Sequence, residues 1–239
     1  MIPSSRVSND QVHHEESHFN ASDTVRDIVI GMADGLTVPF ALAAGLSSAV
    51  ESNQIIVTAG LAEIAAGAIA MGLGGYLAGR TAYEHFHRER AREEQETFDI
   101  PEVEAEETAL IFKEYGLEPH QVDTIVQSIR KDRNRWIDFM MKFELGIEKP
   151  EPRRARNSAI TIGVSYMVGG LVPLFPYFLS QNPHQALWNS VVVTAIALFI
   201  FGYIKGAFTV SKPLKSAFQT LIVGGLAAAT AFGVGRLFG

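Results

Sequence analysis

The sequence predicts an all-α membrane protein: five transmembrane helices, with a charged helical region inserted between the second and third spans. Three observations predict it. Apolar runs near the ~20 residues that cross a ~30 Å hydrocarbon core occur twice before residue 80 and three times after residue 157. Between these groups the chain turns densely charged, with Pro and Gly confined to a few punctuating positions. Mean hydropathy is only slightly positive although 47% of residues are hydrophobic, as expected when two unlike parts are averaged. The 239 residues include no cysteine, so any metal must be held by carboxylate, His, Met or backbone oxygen. A net charge of −6 without a basic stripe argues against nucleic acid as a partner.

Residues 1–22 are polar, with His13, His14, Glu15, Glu16 and His18 clustered, and read as a flexible tail with no apolar core of a cleavable signal. The first span begins at Asp23, with Arg26 and Asp27 at its approach, and ends near Val50. Glu51, Ser52 and Asn53 make the turn of an antiparallel hairpin, and the second span runs to Gly79. No breaker follows, so that helix is expected to continue into water as a charged stalk ending before Asp99-Ile100-Pro101. Pro101 suits the first turn of a helix running to about Tyr115 and ended by Gly116; Pro119 opens another. Asp132 caps a third, RNRWIDFMMKFEL, ended by Gly146, and Lys149-Pro150-Glu151-Pro152 is a stiff linker back to the membrane. The last three spans are Ser158–Leu179, kinked at Pro173 and Pro176, then Leu187–Ile204 and Ser216–Phe238. Gly225, Ala229 and Gly233 give the fifth span a small-residue packing row, and these three spans, holding no acid, read as scaffold. The parts are therefore 1–22, 23–79, 80–157 and 158–239.

Lys and Arg placement sets the orientation. Arg80, Arg88, Arg90, Arg92, Arg153, Arg154 and Arg156 flank the middle region, and Lys205, Lys212 and Lys215 lie between spans four and five. The turns ESNQ and SQNPHQ carry none. This places the N-terminus and the charged region in the cytosol and the C-terminus on the other side.

Each of the first two spans carries one acid well away from its ends, Asp34 and Glu63. An acid in a bilayer costs at least ~2.5–3.5 kcal/mol on insertion scales, so it marks an ion or proton path before it marks structural glue. Pro39 lacks an N–H and frees the Gly35 carbonyl beside Asp34, making an oxygen-rich spot suited to a cation or a proton. Glu63, Gly67, Met71, Gly75 and Gly79 fall four apart on one ridge, so a thioether follows the acid by two turns. The adjacent ridge, Ala62, Ala66, Ala70, Gly74 and Ala78, is a small-residue seam that admits a second helix.

In the charged region, turning the helix from Pro101 at about 100° per residue sets an apolar face of Val103, Leu110 and Ile111. Glu107 falls inside that face and Glu104 at its margin, while Glu102 and Glu106 point away. Glu144 falls among Ile137, Met140 and Met141, and Glu89, Glu93 and Glu96 form a row on the stalk. Carboxylates aimed at a core need a shared partner, and a cation serves several at once. Such convergence resembles ferritin-like sites, but His85 and His87 do not make the Glu-x-x-His pairing, which favours an exchangeable divalent ion over a redox cage. The competing reading is a set of ordinary solvated acidic faces.

The stretches SDTVRDIVIGMADGLTVPFALAAGLS and AEIAAGAIAMGLGGYLA resemble the vacuolar iron transporter family, of the type with a long acidic insert after the second span; the likeness extends from about Ser22 onward. The resemblance implies a homodimer with five spans per subunit that moves cytosolic Fe²⁺, and often Mn²⁺, into the vacuole in exchange for protons. It implies no prosthetic group: Fe²⁺ is cargo, and Mn²⁺, Zn²⁺ or Co²⁺ can occupy the same sites. It places metal in the cytosolic domain on Glu93, Glu96, Glu104, Glu107 and Glu144, helped by Met140 or Met141. In the membrane, metal and protons compete for the carboxylate of Asp34, with Glu63 as partner and Met71 as selectivity ligand. Membrane lipid surrounds the spans. Two other functions compete: a membrane-anchored ferritin-like diiron ferroxidase, and a structural membrane protein whose acidic domain binds a partner. The first leaves Asp34, Glu63 and Met71 without a task, and the second explains neither group.

Overall fold

Long apolar runs rich in Ala, Leu and Gly satisfy their backbone only as helices once water is removed, and the computed structural model follows that rule. It describes residues 23–209 and 212–238; the histidine cluster of the tail lies outside them. The helices are α1 (Asp23–Ala49), α2 (Asn53–Asp99), α3 (Pro101–Glu114), α4 (Pro119–Arg130), α5 (Arg133–Phe143), α6 (Arg154–Leu179), α7 (Pro183–Thr209) and α8 (Pro213–Phe238). Among the described residues there is no strand, and α1, α2, α6, α7 and α8 are each long and apolar enough to cross a membrane.

The helix ends follow local chemistry. Ser52 accepts from the Ile55 N–H at the start of α2, and the Asp132 carboxylate accepts from the N–H groups of Asn134 and Arg135 at the start of α5. Pro101 and Pro119 occupy the first turns of α3 and α4, where a missing N–H costs nothing. Glu118 and Gln121 cap α4 reciprocally. Gly116 and Gly146 end α3 and the α5 region at φ of 82° and 65°, values that favour glycine. The second span does run on as a stalk: α2 has 47 residues, about 70 Å at 1.5 Å per residue. Both α6 and α7 begin earlier than expected, at Arg154 and Pro183, and α6 passes through Pro173 and Pro176 as one helix.

One feature of the packing departs from the expected hairpin of α1 and α2. Helix α6 packs along both of them, and they touch each other far less. The residues at the α1–α6 contact are small: a Cβ on Gly31 would meet the Ile162 carbonyl, and one on Gly35 the Tyr166 carbonyl, both at 2.3 Å. Helix α6, which the sequence reads as scaffold, therefore holds a defined place in that packing. It forms the wall between the two acid-bearing helices.

Helices α3, α4 and α5 have a separate small core of Ala105, Val122, Val126, Trp136 and Met140, in which Trp136 Nε1 donates to Thr108 Oγ1 at 2.8 Å. Phe86, Ile137 and Met141 form a second cluster that docks α5 onto the stalk of α2. The two methionines thus face different sides of α5, both fully buried.

Candidate metal pathway and glutamate cluster

One of the membrane acids bonds to α6, and the other lies beside that helix. Tyr166, buried in the middle of α6, donates its hydroxyl to Glu63 Oε1. Asp34 directly precedes Gly35, whose backbone lies against Tyr166 of α6. Gly67, one turn after Glu63, lies flat on the Tyr166 ring, where a Cβ would come within 2.5 Å of the ring and hydroxyl. Glu63 Oε2 is buried and has no hydrogen-bond partner. A lone pair without a donor in an apolar surround is a costly arrangement, and a cation or a proton would relieve it. Sequence reasoning missed Tyr166. The available signal was a tyrosine in mid-span, whose hydroxyl needs a partner when buried.

Met71 lies two turns along α2 and lines a cavity of about 760 Å³ between α1, α2 and α6. The other end of that cavity is charged, lined by Asp23, Arg26, Asp27, Glu148, Lys149, Glu151 and Arg154. There Asp27, only 2% exposed, is held by a two-pronged pair with Arg154: Nη1 to Oδ2 at 2.5 Å and Nη2 to Oδ1 at 3.0 Å. Arg154 Nε also reaches Asp23 at 2.9 Å. The structure bonds Glu63 to Tyr166, sets Asp34 beside the Gly35–Tyr166 contact, and places Met71 on the cavity that the Asp27–Arg154 pair also lines.

The second group of acids is outside the spans. Glu93, Glu96 and Glu104 present carboxylate oxygens that lie within 4.8 Å of one another. Carboxylate oxygens on one divalent ion at ~2.2 Å are at most ~4.4 Å apart, so a small adjustment of side chains suffices to share an ion. Glu93 is 2% exposed and its Oε2 has no partner. Burial pushes the Glu93 carboxyl up, and Glu96 adds repulsion. Burial, then Glu107, Glu93, Glu96 and Glu144 raise Glu104 to about 7. Glu144 is likewise raised to about 7 by burial of its carboxyl, then by Glu107 and Glu93. Glu104 therefore feels the charge of the other four expected glutamates.

Their placement differs from the helical-wheel expectation in two respects. The buried face of α3 is Glu104, Ala105 and Thr108, not Val103, Leu110 and Ile111; Val103 and Leu110 are 47% and 55% exposed. Glu104 sits at the centre of that face and Glu107 at its half-buried edge, the reverse of the predicted order. The inner face is small and polar because Ala105 packs on the Val122, Val126, Trp136 and Met140 core, Thr108 accepts from Trp136, and Glu104 converges with Glu93 and Glu96 of the stalk. Glu144 sits at the end of α5, its backbone N–H donating to the Met140 carbonyl, and is exposed as a residue, outside the converging group of Glu93, Glu96 and Glu104. Met140 and Met141 are both in apolar clusters within one turn of Glu144.

Comparison with known proteins bears on this arrangement as a whole. The chain is 57% identical over 223 residues to vacuolar iron transporter 1 of Tulipa gesneriana, covering 93% of this chain and 90% of that protein. It is 50% identical over 236 residues to vacuolar iron transporter 1 of Oryza sativa, covering 99% and 94%. Protein CCC1 of Saccharomyces cerevisiae is 37% identical over 225 residues, covering 90% of this chain and 69% of that protein. Residues 25–236 match the VIT family, a stretch that contains both acid groups and reaches into all five apolar helices, and the chain belongs to that family.

Proposed function

We propose that the protein is a proton-coupled transporter that moves Fe²⁺, and also Mn²⁺, from the cytosol into the vacuole. The observation that carries this reading is the unpartnered, buried oxygen of Glu63, whose other oxygen accepts from Tyr166, in the middle of helices suited to a membrane. Relatives named vacuolar iron transporters, aligned over most of this chain, support iron as cargo and the vacuole as destination. They are named as transporters, and an enzyme reading has no comparable support. In this reading α3–α5 and the stalk are a cytosolic metal-collecting domain inserted between the second and third spans, and the C-terminus is lumenal. Metal passes from the glutamates to the charged mouth, along the Met71 vestibule, and onto Asp34 and Glu63. The thioether of Met71 favours borderline ions such as Fe²⁺ over harder Mg²⁺ and Ca²⁺. Facing an acidic lumen, protons compete with the metal for the same carboxylate oxygens. The protonated acids then return without an uncompensated charge, so exchange needs no separate proton channel.

Two copies pack through the row Ala62, Ala66, Ala70 and Gly74, which is exposed in the single chain and where a Cβ on Gly74 would meet nothing within 4 Å. The test is uptake into sealed proteoliposomes with an acidified interior, with absorbance followed for ferric product. The wild-type protein is expected to accumulate Fe²⁺ without oxidising it, and Asp34→Asn, which keeps the shape but cannot titrate, to lose pH-driven uptake. Wild-type rates from Asp34→Asn would overturn the proton coupling, and ferric product would return the ferroxidase reading.

A further inference from the structure

The glutamate cluster already contains a cation. Arg92 places each of its three guanidinium nitrogens on a different carboxylate: Nη1 on Glu89 at 2.9 Å, Nε on Glu96 at 3.3 Å and Nη2 on Glu93 at 3.6 Å. Glu93 and Glu96 belong to the group that converges within 4.8 Å, whereas Glu89 does not. We infer that Arg92 is a resident counter-ion of the metal site, which holds the carboxylates together when the site is empty and must release Glu93 and Glu96 when a divalent ion arrives; the inference rests on the metal-binding reading of this cluster.

The physical reasons are three. Arginine stays protonated at every relevant pH, so its charge is present whenever the site is empty. Without it, the partly buried acids would repel one another and meet an uncompensated desolvation cost. The side chain is also free to leave: Arg92 is 52% exposed, and Glu89, largely buried at 12%, remains as its anchor one turn back on the same helix. A divalent ion therefore displaces only two of three contacts, and Arg92 swings onto Glu89. The consequence is a site tuned to lower affinity than its carboxylate count suggests, as suits a domain that hands its ion on. The Glu93 oxygen that Arg92 leaves unpartnered is the part of the site that the guanidinium does not satisfy.

The experiment titrates Mn²⁺ into the full-length protein in detergent, by calorimetry, for the wild type, Arg92→Gln and Arg88→Gln. Arg88 is the control, since it removes the same charge from the same stalk but contacts Glu89 at 3.3 Å and neither Glu93 nor Glu96. Arg92→Gln is expected to bind Mn²⁺ about five- to tenfold more tightly, the effect of ~1–1.4 kcal/mol of lost competition, with Arg88→Gln near the wild type. The melting temperature of metal-free Arg92→Gln should fall while its rise on adding Mn²⁺ grows. Equal or weaker binding by Arg92→Gln overturns the inference and leaves an ordinary stalk ion-pair ladder. Equal tightening in both variants also overturns it, as a diffuse charge effect. No Mn²⁺ binding by the wild type overturns the metal-site reading itself.

Discussion

Tyr166 ties the acid of α2 to α6, because its hydroxyl donates to Glu63 Oε1 and its backbone lies against Gly35, next to Asp34. Tyr166→Phe keeps the ring that packs on Gly67 and removes only the donor, leaving both Glu63 oxygens without a protein partner. A hydrogen bond to a charged group is worth ~1.5–3 kcal/mol, so uptake is expected to drop by about tenfold or more and its pH profile to shift. Uptake into acidified liposomes at several external pH values checks this; an unchanged rate and profile would make Tyr166 a packing residue. The acids themselves were legible in the sequence, since a charged residue within an apolar run stands out by its cost. Tyr166 was not, because an aromatic among glycines reads equally well as packing, and what assigns its hydroxyl is the neighbour on another helix.

At the scale of elements, the stalk and α3–α5 bring acids from different helices into a half-buried group whose titration can be followed. Glu104 and Glu144 each sit at about 7, raised by burial first and by other glutamates second. An ion must displace protons from these groups, so Mn²⁺ affinity is expected to weaken as pH falls from about 8 to 6. Stability of the metal-free protein runs the other way. A carboxyl raised above its unfolded value binds protons more tightly in the folded state. Its contribution is full below the unfolded value near 4.5 and is lost as pH rises through about 7. Melting temperature against pH, with and without Mn²⁺, checks both signs, and a metal-free curve that climbs between pH 5 and 7 would contradict the burial of this group. Glu104→Ala with Glu107→Ala should lose most Mn²⁺ binding at this site and slow transport without stopping it. Helix identity and order were readable here because Pro101, Pro119, Asp132, Gly116 and Gly146 act locally on the backbone. The buried face of α3 was not, since Val103 and Leu110 outrank Glu104 on any hydrophobicity scale. Neighbours on other helices decide it: Trp136 donates to Thr108, and Glu93 and Glu96 converge with Glu104.

Across the whole molecule, the outward helix faces of the single chain divide by side-chain size. Apolar side chains project outward from α7 and α8, as Val192, Ile196, Ile222 and Leu226 do, and are bulky, which suits fluid acyl chains. The exposed row Ala62, Ala66, Ala70 and Gly74 on α2 is different, because small residues give lipid little to pack against and let a helix backbone come close. It runs beside the Glu63, Met71 ridge, so a second copy seated there would bring two pathways side by side. The absence of cysteine makes the question clean to ask. Ala66→Cys is expected to form a disulfide-linked dimer in native membranes under mild oxidation, while Ile222→Cys, exposed on α8, is not. Two thiols bridge only when their Cα atoms come within about 7 Å, so the bond reports seam-to-seam packing and not chance encounter. Ala66→Leu with Ala70→Leu should then block the close approach and abolish uptake even though both acids remain. Equal crosslinking at both cysteines, or full uptake by the double leucine variant, would assign the seam to lipid and make each chain a complete pathway.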